Sequence, residues 1–87
     1  MEKVYDIKQL KFEGDSILLN VDKLMVKLNL EDVSKKLLYA SDQERNDFTI
    51  SPSGYGVHWR LLDEDLSING ILQLYYSNQV TTISSQG

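Results

Sequence analysis

An α+β fold is predicted for this chain: a small antiparallel β-sheet, built from an N-terminal meander and a second hairpin, packed with one longer and one or two short helices. Three observations carry that prediction. Over residues 24–30, Leu24, Val26, Leu28 and Leu30 alternate with Met25, Lys27 and Asn29, the period-two pattern of a half-buried strand. Leu30, Val33, Leu37 and Leu38 then recur at helical spacing,. Further on, Phe48 and Ile50, and after them Tyr55, Val57 and Trp59, alternate on either side of the turn-forming Pro52-Ser53-Gly54, which reads as a hairpin.

Each element follows from local chemistry. Near the start, Val4, Tyr5, Ile7, Leu10 and Phe12 are mixed with polar residues, and the apolar phase changes between Ile7 and Leu10; a strand with an irregularity fits. Glu13-Gly14-Asp15-Ser16 supplies a turn, because Gly tolerates positive φ and Asp and Ser bond nearby backbone groups. Ile17, Leu18, Leu19 and Val21 form the next strand, and a tight turn over residues 20–23 leads to the third. Such a meander leaves one face in need of cover. A helix over residues 31–40 is predicted to supply it, with Glu31 and Asp32 at its negative-preferring end and Lys35 and Lys36 further along,.

Ser41-Asp42-Gln43-Glu44 matches a capping box and predicts a second, short helical turn,. After the hairpin, the acidic knot Asp63-Glu64-Asp65 precedes Leu66, Ile68, Ile71, Leu72 and Leu74, with Ser67 placed to cap a short helix,. Beyond Tyr75 and Tyr76 the chain turns polar. Residues 1–76 are read as one domain and residues 77–87 as a flexible C-terminal tail.

Composition bounds the function. With 87 residues the core must be thin, since folding at this size hides only about 60–65% of the unfolded chain's surface. Hydrophobic residues at 41% and charged residues at 25% are ordinary for a globular protein,. Thirteen acidic against nine basic side chains give a net charge of -4, which disfavours nucleic acid and anionic lipid and favours a basic partner. The chain has no cysteine, so thiolate zinc sites, disulfides and a cysteine nucleophile are excluded. No apolar run is long enough for a membrane span, and no signal-peptide pattern is present; a cytoplasmic protein is expected.

His58 with Asp63, Glu64 and Asp65 is the one constellation that suggests acid-base chemistry or metal binding,. Against that reading stand a single His and the absence of metal-ligand or nucleophile motifs,. No catalytic, metal-binding or cofactor-binding residue is therefore expected. Tyr55, His58, Trp59, Arg60, Asp63, Glu64 and Asp65 are instead the candidate partner-binding residues. Among them Trp59 reads more readily as a core anchor than as an interface hot spot. The acidic knot suits helix capping, a bridge to Arg60, or basic groups on a partner. Exposed sheet edges would admit strand addition by another chain or by a second copy, making a homodimer an option.

Two ordered stretches, Ala40-Ser41-Asp42-Gln43-Glu44-Arg45 through Gly54-Tyr55-Gly56-Val57-His58-Trp59, and Leu61-Leu62-Asp63-Glu64-Asp65-Leu66-Ser67-Ile68-Asn69-Gly70-Ile71-Leu72, closely resemble the bacterial and cyanobacterial domain family DUF 2442. Asp22-Lys23 stands where the family usually has Asp-Gly, and Arg60 where proline commonly follows the Trp. The resemblance implies a small α+β module without established catalysis, whose members often stand beside a small toxin-like reading frame. It thus implies an antitoxin-like role: binding and neutralising a small basic toxin encoded nearby. Some members carry an added helix-turn-helix region, which is not visible here, so nucleic-acid binding by this chain alone is not expected. The alternatives are a nucleic-acid-associated regulatory module acting as a dimer, and a His/carboxylate enzyme or metal-binding protein.

Overall fold

The computed structural model describes residues 4–84, with side chains described as far as residue 78. Two three-stranded antiparallel sheets and four helices make up the fold. The first sheet is the predicted meander, β1 (Ile7–Glu13), β2 (Ser16–Val21) and β3 (Leu24–Asn29). Its β1–β2 register shifts between Lys8 and Lys11, where Gln9 takes φ +54°. That is the irregularity the apolar phase change predicts, and it lets both Ile7 and Leu10 pack against the core,. The two turns are as tight as expected, with positive φ at Gly14 and at Asp22.

The single helix expected over residues 31–40 is two helices, α1 (Leu30–Val33) and α2 (Lys35–Leu38), broken at Ser34. Ser34 is extended, at φ -162° and ψ 114°, and its hydroxyl accepts from Leu37 N as the N-cap of α2. A serine hydroxyl that bonds the backbone locally competes with helix continuation, and here it wins. The capping box forms as predicted: Ser41 Oγ accepts from Glu44 N at 3.1 Å and Glu44 Oε1 from Ser41 N at 2.8 Å. It opens α3 (Asp42–Arg45).

The second hairpin, β4 (Phe48–Ile50) and β5 (Gly56–Trp59), gains a third strand, β6 (Glu64–Ser67), and forms its own sheet in the order β4-β5-β6. The acidic knot is therefore not a helix cap: Glu64 and Asp65 are strand residues paired with Trp59 and His58. The last helix, α4 (Ile68–Ser84), starts where Ser67 Oγ accepts from Gly70 N at 2.9 Å. At 17 residues it is longer than the short helix expected. No Gly or Pro interrupts the chain between Gly70 and Gly87, so nothing local stops it. Its backbone continues past Ser77, while residues 85–87 of the expected tail lie outside the described residues.

One core joins the two sheets. Ile17, Leu19, Val26 and Leu28 of the meander meet Leu30, Leu37, Val57, Trp59, Ile68 and Ile71. The cover for the meander thus comes from α4 and the second sheet as well as from the short helices. Trp59 is fully buried and sits between the sheets, edge-on to Phe12 at 6.4 Å between centroids and tilted against Phe48 at 5.9 Å. Its indole Nε1 donates to the Arg45 carbonyl at 2.8 Å, which removes the cost of burying the ring's polar atom.

Candidate functional site

Alternation in the second sheet sorts the predicted partner-binding residues between two faces. Inward point Val57 and Trp59, and opposite Trp59 the side chain of Glu64. Outward point His58 and Asp65, which the register places directly across from each other with Thr49 on the other flank. In the adjoining cross-strand pair, Gly56 opposes Ser67. Because Gly56 carries no side chain, the outward face is hollow there. A groove of about 590 Å³ results, lined by Tyr55, Gly56, His58, Asp65 and Ser67 among others.

The inward carboxylate has a structural task. Glu64 Oε2 accepts from Ser34 Oγ at 2.5 Å, tying the second sheet to the break between α1 and α2. Ser34 is 6% exposed, so its hydroxyl serves two elements at once. Ser34→Ala removes this bond and the α2 N-cap together and is expected to cost about 2 kcal/mol. Urea denaturation measures it; a loss below about 0.5 kcal/mol would show that the junction is held by packing alone.

Outward, His58 Nδ1 and Asp65 Oδ1 are 2.7 Å apart. A carboxylate only accepts, so in this pair the donor is the Nδ1–H tautomer of His58. Both side chains are largely exposed, at 46% and 74%. Asp63 contributes its backbone carbonyl to Lys36 Nζ at 3.2 Å and takes φ +50° in the β5–β6 turn. Arg60 does not meet the acidic knot; its Nη2 pairs with Asp47 Oδ2 at 2.7 Å. Tyr55 leaves the face shared by Val57 and Trp59: it precedes the strand, next to the positive-φ Gly54, and the residue is 55% exposed and lines the groove. Of the seven candidates, then, Tyr55, His58 and Asp65 share one exposed groove. Trp59 and Glu64 face the interior, and Asp63 and Arg60 serve the turn and the β4 flank.

The groove's hydroxyls are occupied by the chain itself. Ser51 Oγ accepts from Tyr55 N at 2.9 Å and Gly56 N at 3.1 Å, and Ser67 Oγ accepts from Gly70 N. Among the described residues no group of three His, Asp or Glu side chains is gathered to hold a metal ion. No helix among them is long and apolar enough to cross a membrane.

One residue outside the predicted set organises the whole arrangement. Arg45 is 8% exposed and donates to three carbonyls, from Nε to Leu37 at 2.9 Å, from Nη1 to Gly14 at 2.7 Å and from Nη2 to Leu38 at 2.9 Å. Its guanidinium carbon lies 5.5 Å from the Phe12 ring centroid. Its position in the A-S-x-x-x-R stretch was the available signal. An arginine four residues after a capping serine sits at the end of a single helical turn, beside the carbonyls of the preceding helix.

Residues 7–77 match the family model described as a protein of unknown function (DUF2442). Comparison with curated proteins and with solved structures returns no match.

Proposed function

This chain belongs to the DUF2442 family, and from that premise we propose that it is a non-catalytic protein-binding module, the antitoxin of a toxin-antitoxin pair that neutralises a small basic toxin. The observation that carries this reading is the outward face of β4, β5 and β6. It is concave, holds an exposed aromatic ring and an exposed carboxylate, and uses its serine hydroxyls to satisfy the chain's own backbone N–H groups. Such a surface suits recognition, in which an aromatic and a charged group fix a partner.

The electrostatics agree. A net charge of -4 draws a basic partner at long range and speeds its encounter,. Several cations are committed within the fold: Arg45 lies inside, Arg60 is held by Asp47, and Lys36 reaches the Asp63 carbonyl. They form no basic face of the kind a nucleic acid requires.

Coexpression with the product of the adjacent gene tests the proposal. A stable complex is expected to co-purify and growth inhibition by that product to be relieved. A product that neither binds nor is relieved of its toxicity in the presence of this chain overturns the reading.

A further inference from the structure

We propose that the groove on the outward face of the second sheet receives an arginine side chain of the protein partner, an inference that rests on the protein-binding reading above. The floor is open because position 56 is glycine, and it must stay so: a Cβ there would lie 3.0 Å from the Leu66 carbonyl oxygen. Tyr55 and Thr49 also line it, while the side chains of Val57 and its partner Leu66 point inward. The charged acceptor is Asp65, whose Oδ1 accepts a hydrogen bond from His58 Nδ1–H while Oδ2 has no bonding partner among the described residues. Among the described residues, no lysine or arginine lines the groove.

These features select a cation with a long apolar stem. The stem lies along Thr49 and Tyr55 while the charged head reaches water and the carboxylate,. A planar guanidinium uses more of the site than an ammonium does. It donates to Asp65 Oδ2 in a charge-assisted hydrogen bond and stacks on the half-exposed Tyr55 ring,. A lysine would offer a more strongly hydrated point charge and no planar stack. An anionic side chain would face the Asp65 carboxylate with no lysine or arginine among the described lining residues.

The test is a titration of the full-length, 15N-labelled chain with the capped tripeptide Ac-Gly-Arg-Gly-NH2, followed by NMR. Saturable amide shifts are expected at Gly56, His58, Asp65 and Ser67, weaker ones with the lysine analogue and none with the glutamate analogue. Asp65→Asn is expected to weaken the arginine peptide roughly tenfold, the loss of one charge-assisted bond. Tyr55→Leu is expected to narrow the preference for arginine over lysine. The absence of saturable shifts, an equal response to the lysine or glutamate peptide, or an unchanged affinity in Asp65→Asn would overturn the proposal.

The coexpression assay separates this idea from the broader one. If wild-type chain and Asp65→Asn relieve growth inhibition equally well, the arginine site is wrong and the protein-binding reading stands. If the wild-type chain itself forms no complex, the broader reading is what fails.

Discussion

Replacing Arg45 with alanine is expected to destabilise the protein by about 3–5 kcal/mol, a large share of the roughly 5–10 kcal/mol available to a domain of this size. The side chain gathers carbonyls from two separate places, the end of α2 at Leu37 and Leu38 and the β1–β2 turn at Gly14. Truncation removes one donor from each of the three, the Leu37 carbonyl keeping Ala40 N at 3.3 Å, opens a cavity beside Phe12, and removes a cation from that ring,. The Asp15 carboxylate, 4.0 Å away and 82% exposed, adds little because water screens it,.

The damage extends to Trp59, whose indole bonds the backbone carbonyl of this same Arg45. If α3 shifts when its arginine is cut, that acceptor shifts with it. Arg45→Lys is expected to recover less than half of the loss, because an ammonium cannot span three carbonyls as the rigid guanidinium fork does. Urea denaturation of the three proteins measures both effects. A loss below about 1 kcal/mol for Arg45→Ala would mean that water replaces the guanidinium without strain.

The contrast between what could be read from the sequence and what could not follows from the range of the interactions. The capping box at Ser41 and Glu44, the turns at Gly14 and Gly54 and the phase change before Leu10 are local, and each formed as its residues require. Trp59 was legible as a core residue because its neighbours Val57 and Tyr55 alternate around it, although only Val57 joins it inside.

Long-range partners were hidden. Ser34 breaks a helix that its periodicity supports, and the Glu64 carboxylate that bonds it lies 30 positions away. For the same reason β6 is hidden in what reads as an acidic knot ahead of a Ser67-capped helix: four residues are too few to show a period, and one of its inward positions is a carboxylate. Of the candidate site, His58 and Asp65 were identified, but the groove between strands was not. Its hollow depends on Gly56 standing opposite Ser67, a pairing that only the register reveals.

Gly54→Ala is expected to cost at least about 3 kcal/mol, and the comparison with Gly14 shows where the cost arises. Both glycines have positive φ, +76° at Gly54 and +56° at Gly14, so either alanine meets the left-handed penalty of roughly 1–2 kcal/mol. Around Gly14 a Cβ would find nothing within 4 Å. At Gly54 it would fall 1.9 Å from the carbonyl oxygen of Tyr5, a backbone atom that cannot swing aside.

Relief therefore requires the segment before β1 to move. That segment is anchored to the same turn by Val4 N and Tyr5 N, which donate to the Ser53 carbonyl at 2.7 and 3.3 Å. The Tyr5 hydroxyl further ties it to Asn69 of α4 at 2.5 Å. Moving it would break the bridge from the second hairpin through the N-terminal segment to the last helix. The difference between the two variants isolates that bridge from the backbone penalty they share. In thermal unfolding, Gly54→Ala should fall below Gly14→Ala by about 4–16 °C, since the two differ by about 1–2 kcal/mol and each kcal/mol moves the midpoint of a small domain about 4–8 °C. Equal midpoints would mean that the N-terminal segment peels away at negligible cost, and that the fold is held without it.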